Sequence, residues 1–192
     1  MYFFFFVLLF LHQWLRCLCA VNHVTHLPGF HGELPFHLET GYVSIDDVSG
    51  AELFYYFVES DRKPEEDPLI LWLSGGPGCS GFEGLALDMG PLNFKVDNFD
   101  GNIPTIVVNP YSWTKIANMI FLDWPVGTGF SYSMTDEDYI TEDIQAKGNI
   151  LKFLRKWFLG HPNFMLNPFY VGGDSYGGKM ATLVSHDIVE GN

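Results

Sequence analysis

The sequence predicts an α/β fold. Three short, continuous apolar runs have the length of strands and stop abruptly in glycine-rich loops, and a stretch of helical apolar spacing separates the second run from the third. The chain of 192 residues is 47% hydrophobic and only 17% charged, which is ample material for a packed core and excludes a disordered tail. That length suits one domain, or part of a larger one.

The first element is a targeting candidate. Met1 to Leu11 form an unbroken apolar run that His12 and Gln13 interrupt. A bilayer-spanning helix needs about 20 apolar residues, so the run is too short for a stable membrane span and has the length of a signal-peptide core. Cys17, Leu18, Cys19 and Ala20 offer small residues near a cleavage point, although no Lys or Arg precedes the run and Arg16 follows it. Residues 1–20 are therefore expected to be a signal peptide and residues 21–192 the folding unit. Cleavage near Ala20 removes Cys17 and Cys19 and leaves Cys79 as the mature chain's one cysteine.

Leu27-Pro28-Gly29-Phe30 is a turn-rich stretch. Residues 41–45 then alternate in the manner of a strand, and residues 52–59 do so again after the turn residues 46–50, which predicts a hairpin. Residues 61–67 read as a charged, solvated loop. Residues 68–73 (PLILWL) are continuously apolar, as expected of a strand buried on both faces, and lead into Ser74-Gly75-Gly76-Pro77-Gly78-Cys79-Ser80-Gly81. Residues 119–123 form a second such strand before the Gly/Pro loop 124–129. From Thr141 to Leu159, Ile144, Ile150, Leu151, Leu154 and Phe158 recur at helical spacing, with Thr141 and Asp143 as cap candidates and Gly160-His161-Pro162 as the stop. A third buried strand, residues 169–172, meets Gly173-Asp174-Ser175-Tyr176-Gly177, and an apolar helix follows.

Composition removes several functions. Acidic residues number 23 and basic residues 10, a formal net charge of −13, so there is no electrostatic reason to bind a phosphate backbone, and nucleic acid is excluded as a main partner. The 3 cysteines are too few for a disulfide framework and have no zinc-ligand spacing. No metal or other cofactor is expected.

Gly173-Asp174-Ser175-Tyr176-Gly177 is a G-x-S-x-G sequence in the context that gives the pattern meaning, with a strand before it and a helix after it. The sharp turn needs glycine on both sides and projects the Ser175 hydroxyl above the sheet edge. The Tyr176 N–H can then face an oxygen that becomes negative during acyl transfer. A glycine-rich turn with a polar cap has the same letters, so a second element has to support the reading. An oxyanion hole takes another N–H from an earlier strand-to-loop junction, and Ser74-Gly75-Gly76-Pro77-Gly78 is such a junction. A phosphate-cradling loop is the competing explanation, but no G-K-[ST] follows.

Gly75-Gly76-Pro77-Gly78-Cys79-Ser80, Gly127-Thr128-Gly129-Phe130-Ser131-Tyr132 and Gly173-Asp174-Ser175-Tyr176 occur in this order. Together they resemble the serine carboxypeptidase family, from about Leu27 to the last residue. The resemblance implies an α/β-hydrolase fold, incomplete at its C-terminal side, in a secreted or vacuolar protein. It makes Ser175 the nucleophile, the Gly76 and Tyr176 backbone N–H groups the oxyanion hole, and Ser74, Gly75 and Asp174 substrate-binding residues. The family's peptidases hold a substrate's terminal carboxylate with an Asn before the Gly-Gly and a Glu before the Ser; here those positions are Ser74 and Asp174. These features look closer to the plant acyltransferase branch, which moves acyl groups from glucose esters to an alcohol. The resemblance thus implies a small ester or a peptide as substrate. Gly177 departs from the Ala or Ser usual there, a change expected only to loosen the elbow.

The triad partners of such a serine follow it in sequence, acid then His. Only 17 residues follow Ser175, and they hold Asp187 and His186 on a helix that carries them away from the hydroxyl. His12, His23, His26, His31, His37 and His161 precede the elbow, match no family position and read as surface or packing histidines. By resemblance, the family's Asp and His, and a disulfide partner for Cys79, belong to a downstream region. Two expectations result: a serine carboxypeptidase or acyltransferase lineage, and a catalytically inactive, truncated product acting at most as a binding protein.

Overall fold

The computed structural model describes residues 20–95 and 101–191, so the expected signal segment lies outside the described residues except for Ala20. Among the described residues no helix is long and apolar enough to cross a membrane. Among the described residues there are eight strands: β1 (Ala20–Val24), β2 (Leu38–Asp46), β3 (Ala51–Val58), β4 (Leu69–Leu73), β5 (Leu92–Lys95), β6 (Thr105–Val108), β7 (Asn118–Leu122) and β8 (Phe169–Gly173). Three α-helices accompany them among the described residues: α1 (Gly81–Ala86), α2 (Asp143–Gly160) and α3 (Ser175–Glu190).

Six strands form one mixed sheet in the order β1-β2-β3-β7-β4-β8, and β5 pairs with β6 separately. The expected hairpin is β2–β3, antiparallel, with a register shift between Ser44 and Asp46. Its turn is held by the Asp46 carboxylate, which accepts from the N–H groups of Val48 (2.8 Å) and Ser49 (3.2 Å). β7 joins β3 antiparallel and β4 parallel, and β8 joins β4 parallel. Alternation sends Leu53, Tyr55, Phe57, Leu69, Leu71, Leu73, Ile120 and Leu122 to one face, where α2 and α3 supply Ile150, Phe153, Leu154, Trp157, Met180 and Val184. Tyr56, Val58, Trp72, Met119 and Phe121 point to the other face, under α1 and the β5–β6 ribbon. The inner strands β4 and β7 are almost wholly buried, as their unbroken apolar sequences require.

The structure corrects three expectations about elements. β8 is not a fully buried strand: it is the outermost strand of its sheet among the described residues, and Tyr170 is 59% exposed. Neither cap candidate caps α2, whose N-cap position is Glu142 without a side-chain bond. Thr141 instead donates to the Asp138 carbonyl (3.0 Å), and Asp143 is engaged by α3. Ile144 fits the helical period but lies outside the buried stripe, being 67% exposed in the first turn.

Candidate active site

The three glycine-rich motifs lie far apart in sequence, yet each follows the carboxyl end of one of three adjacent parallel strands. Residues 74–80 leave β4, residues 123–132 leave β7 and residues 173–177 leave β8. In open α/β sheets this edge is where ligands bind.

The β8–α3 junction is a tight elbow. Ser175 has φ +49°, the left-handed region, and is the one non-glycine residue there among the described residues. Holding a serine in that region costs of order 1–3 kcal/mol and persists only where the surroundings over-determine it. Two contacts of the elbow with β4 do so. A Cβ at Gly173 would sit 2.6 Å from the Leu73 carbonyl oxygen. Gly177 is packed harder still, because a Cβ there would overlap that same oxygen. The expectation that Gly177 merely loosens the elbow is thereby corrected: its missing side chain lets α3 rest on the end of β4. Ser175 is solvent-exposed, and its hydroxyl has no side-chain partner among the described residues.

Gly75 lies directly against the elbow, since a Cβ there would be 3.0 Å from the Ser175 Cβ. Its N–H donates to Asp174 Oδ1 (3.0 Å), and its carbonyl accepts from the Cys79 N–H (3.1 Å), closing a turn that carries Gly76 at φ +107°. Asp174 therefore holds the loop beside the serine. Ser74 is buried at 1% exposure, with its Oγ unpartnered among the described residues. Cys79 is half-buried and unpaired among the described residues; burial first, then the charge of Glu83, pushes its thiol up.

Tyr176 is pinned from outside. Its hydroxyl donates to Asp143 Oδ1 (2.5 Å), Lys179 Nζ donates to Asp143 Oδ2 (2.6 Å), and Lys179 lies 4.6 Å over the Tyr176 ring. The start of α3 is thus tied to the start of α2. The Lys179 bond, then the Tyr176 bond, lowers the Asp143 carboxyl.

His186 and Asp187 are not brought to Ser175. They lie 11 and 12 residues along α3, about 16 Å or more at 1.5 Å per residue. Asp187 is paired with Lys147 of α2 at 2.6 Å, and the His186 side chain is 69% exposed. His161 packs at the far end of α2 against Glu39, while His23 and His37 meet edge to face, with centroids 4.4 Å apart, beside the start of β2. One residue escaped the sequence reading. Asp123, the residue immediately after β7, is fully buried and bonds to two of the three motifs. A carboxylate directly after a core strand's apolar run was the available signal.

A left-handed serine between a parallel strand and a helix, beside a glycine loop from the neighbouring strand, is the arrangement of an α/β-hydrolase. The serine carboxypeptidase family profile matches residues 28–192, and the chain belongs to that family. It is 52% identical to Serine carboxypeptidase-like 16 and 51% identical to Serine carboxypeptidase-like 15 of Arabidopsis thaliana, each over 169 residues and 88% of this chain. It spans only 39% of the length of those relatives. The fold is shared with the crystal structure of Kex1(delta)p, a prohormone-processing carboxypeptidase from Saccharomyces cerevisiae. That likeness has a TM-score of 0.66 at 23% identity and covers 81% of this chain and 34% of the other.

Proposed function

We propose that this chain carries the nucleophile side of a serine acyl-transfer site. The carrying observation is Ser175 in the left-handed elbow, with the Gly75–Gly76 loop packed against it. In this reading Ser175 Oγ attacks an ester or peptide carbonyl and expels the alcohol or amine, forming an acyl-enzyme. The Gly76 and Tyr176 N–H groups stabilise the oxyanion; removing one such donor typically costs about 2.7–4 kcal/mol. Water or an alcohol then takes the acyl group. The base and acid that activate Ser175 would come from outside the described residues, from the part of the relatives that this chain does not span. No metal or cofactor enters the scheme, and the route is secretory.

We further propose that the completed enzyme prefers acyl transfer from an activated ester to peptide trimming. Ser74 is shorter than the Asn, and Asp174 one methylene shorter than the Glu, that would grip a substrate carboxylate. Asp174 Oδ1 is also already occupied by the Gly75 N–H. An unpaired carboxylate in such a pocket is costly.

The test joins residues 20–192 to the C-terminal region of Serine carboxypeptidase-like 16 and compares a blocked dipeptide with a phenylpropanoid glucose ester. Ester-dependent product should dominate, and Ser175→Ala should lower it about 10³-fold or more. Peptide turnover without ester-dependent product would overturn the preference. A second reading, binding without turnover, is favoured for the 192-residue chain itself, because His186 is held away from Ser175. That chain should show neither activity above its Ser175→Ala background.

A further inference from the structure

The acyl-transfer scheme gives the fully buried carboxylate of Asp123 no substrate or proton to handle, yet three groups converge on it. Oδ1 accepts from the Ser80 hydroxyl (2.6 Å) and the Gly81 N–H (2.8 Å), and Oδ2 accepts from the Phe130 N–H (2.8 Å). Its own carbonyl accepts from the Ser131 hydroxyl (2.7 Å), which also takes the Phe54 N–H (2.8 Å). A Cβ at Gly129 would overlap Oδ2, so only glycine lets the loop after β7 close over the carboxylate. Burial pushes the Asp123 carboxyl up, against the pull of the hydrogen bonds from Ser80, Phe130 and Gly81. A carboxylate retained at that cost is well suited to fixing geometry.

What it fixes is the loop carrying Gly76. The Ser80 hydroxyl, while donating to Asp123, accepts the Phe82 N–H (3.1 Å) and caps α1. Cys79 closes onto the Gly75 carbonyl, and Gly75 in turn donates to Asp174. Residues 75–80 are therefore held at one end by Asp174, next to Ser175, and at the other by Asp123, at the end of β7. We propose that Asp123 is a positioning residue which, through Ser80, sets the direction of the Gly76 N–H relative to Ser175. This rests on the reading of Gly76 as an oxyanion donor.

The test follows backbone amide resonances and hydrogen exchange in the joined protein described above, residues 20–192 with the C-terminal region of Serine carboxypeptidase-like 16, and in two variants of it. Ser80→Ala cuts the link to the loop. It should speed exchange at Cys79 and Gly75 about tenfold or more and shift the Gly76 resonance, while Phe130 and Tyr176 stay unchanged. Asp123→Asn keeps one oxygen for Ser80 and Gly81 but turns an amide N–H toward Phe130. It should speed exchange at Phe130 by a similar factor. Ser80→Ala that leaves Gly75, Gly76 and Cys79 as in the wild type would overturn the proposal, and so would a uniform loosening that includes Tyr176. These signals report the clamp whether or not Ser175 forms an acyl-enzyme, so failure here is separate from failure of the acyl-transfer reading.

Discussion

At Asp67 one carboxylate organises the loop between β3 and β4. It accepts from the Ser60 hydroxyl (2.5 Å), the Lys63 N–H (3.2 Å) and the Arg62 guanidinium. Asn118 and Asn167 secure the same loop by donating to the Asp67 carbonyl at 3.1 and 2.6 Å. The Arg62 bond, then the Ser60 bond, holds the Asp67 carboxyl down at about 2. A lowered carboxyl stabilises the fold above its unfolded value, about 3.9, and loses that contribution as pH falls toward its folded value. Asp67→Asn should therefore cost about 1–2 kcal/mol at pH 7, since the Arg62 side is largely exposed, and much less at pH 2. Urea unfolding at both pH values checks this, and an equal loss at each would remove the carboxylate from the account.

Among the elements, the end of α2 is fastened to the sheet by a buried polar cluster. His161 Nε2 meets Glu39 Oε1 at 2.8 Å, His161 Nδ1 meets the Trp157 carbonyl at 2.8 Å, and the Tyr55 hydroxyl donates to Glu39 Oε1 at 2.6 Å. The imidazole also stacks on Trp157, with centroids 4.0 Å apart. Burial raises the Glu39 carboxyl, but the His161 and Tyr55 hydrogen bonds outweigh it, so the net direction is down. That stabilisation is present at neutral pH and fades as acid protonates Glu39. His161→Ala strands a buried carboxylate and should cost about 3–5 kcal/mol, whereas adding Glu39→Gln should recover part of the loss. A double variant no better than the single would show that packing on Trp157, rather than charge, is what His161 supplies. The hairpin, the inner strands, α2 and the elbow were legible because each rests on a local pattern: alternation, an unbroken apolar run, a helical period or a G-x-S-x-G turn. β5 (LNFK) and β6 (TIVV) have four residues each and α1 six, too short for any period to register. The three motif loops of the site were equally readable. The Asp123 clamp was not, because its donors Ser80, Gly81 and Phe130 lie 43, 42 and 7 residues away and only the fold brings them together.

For the molecule as a whole, one property follows from its sequence and one from its surface. Met1 to Leu11 are apolar and too short to span a bilayer, so protein recovered from a eukaryotic secreting host should have lost its start near Ala20. An intact Met1 by mass spectrometry would defeat that expectation. The second property concerns the side of the sheet away from β1. β8 is outermost, with its outer backbone groups unpaired among the described residues, and around it Leu159, Met165, Tyr170 and Leu166 are 66%, 62%, 59% and 95% exposed. An apolar groove lined by Leu151, Leu154, Phe158, Phe169 and Ile188 runs beside it, between α2 and α3. An open strand edge flanked by apolar surface is a template for pairing with another chain, and ordering that region gains little burial in return. The 192-residue chain should therefore be marginally stable and self-associating on size-exclusion chromatography. Tyr170→Lys, which puts a charge on the exposed edge, should shift it toward monomer without weakening the core. A monodisperse wild-type monomer that melts cooperatively above about 60 °C, beyond most of the mesophile range, would mean that this edge is no liability.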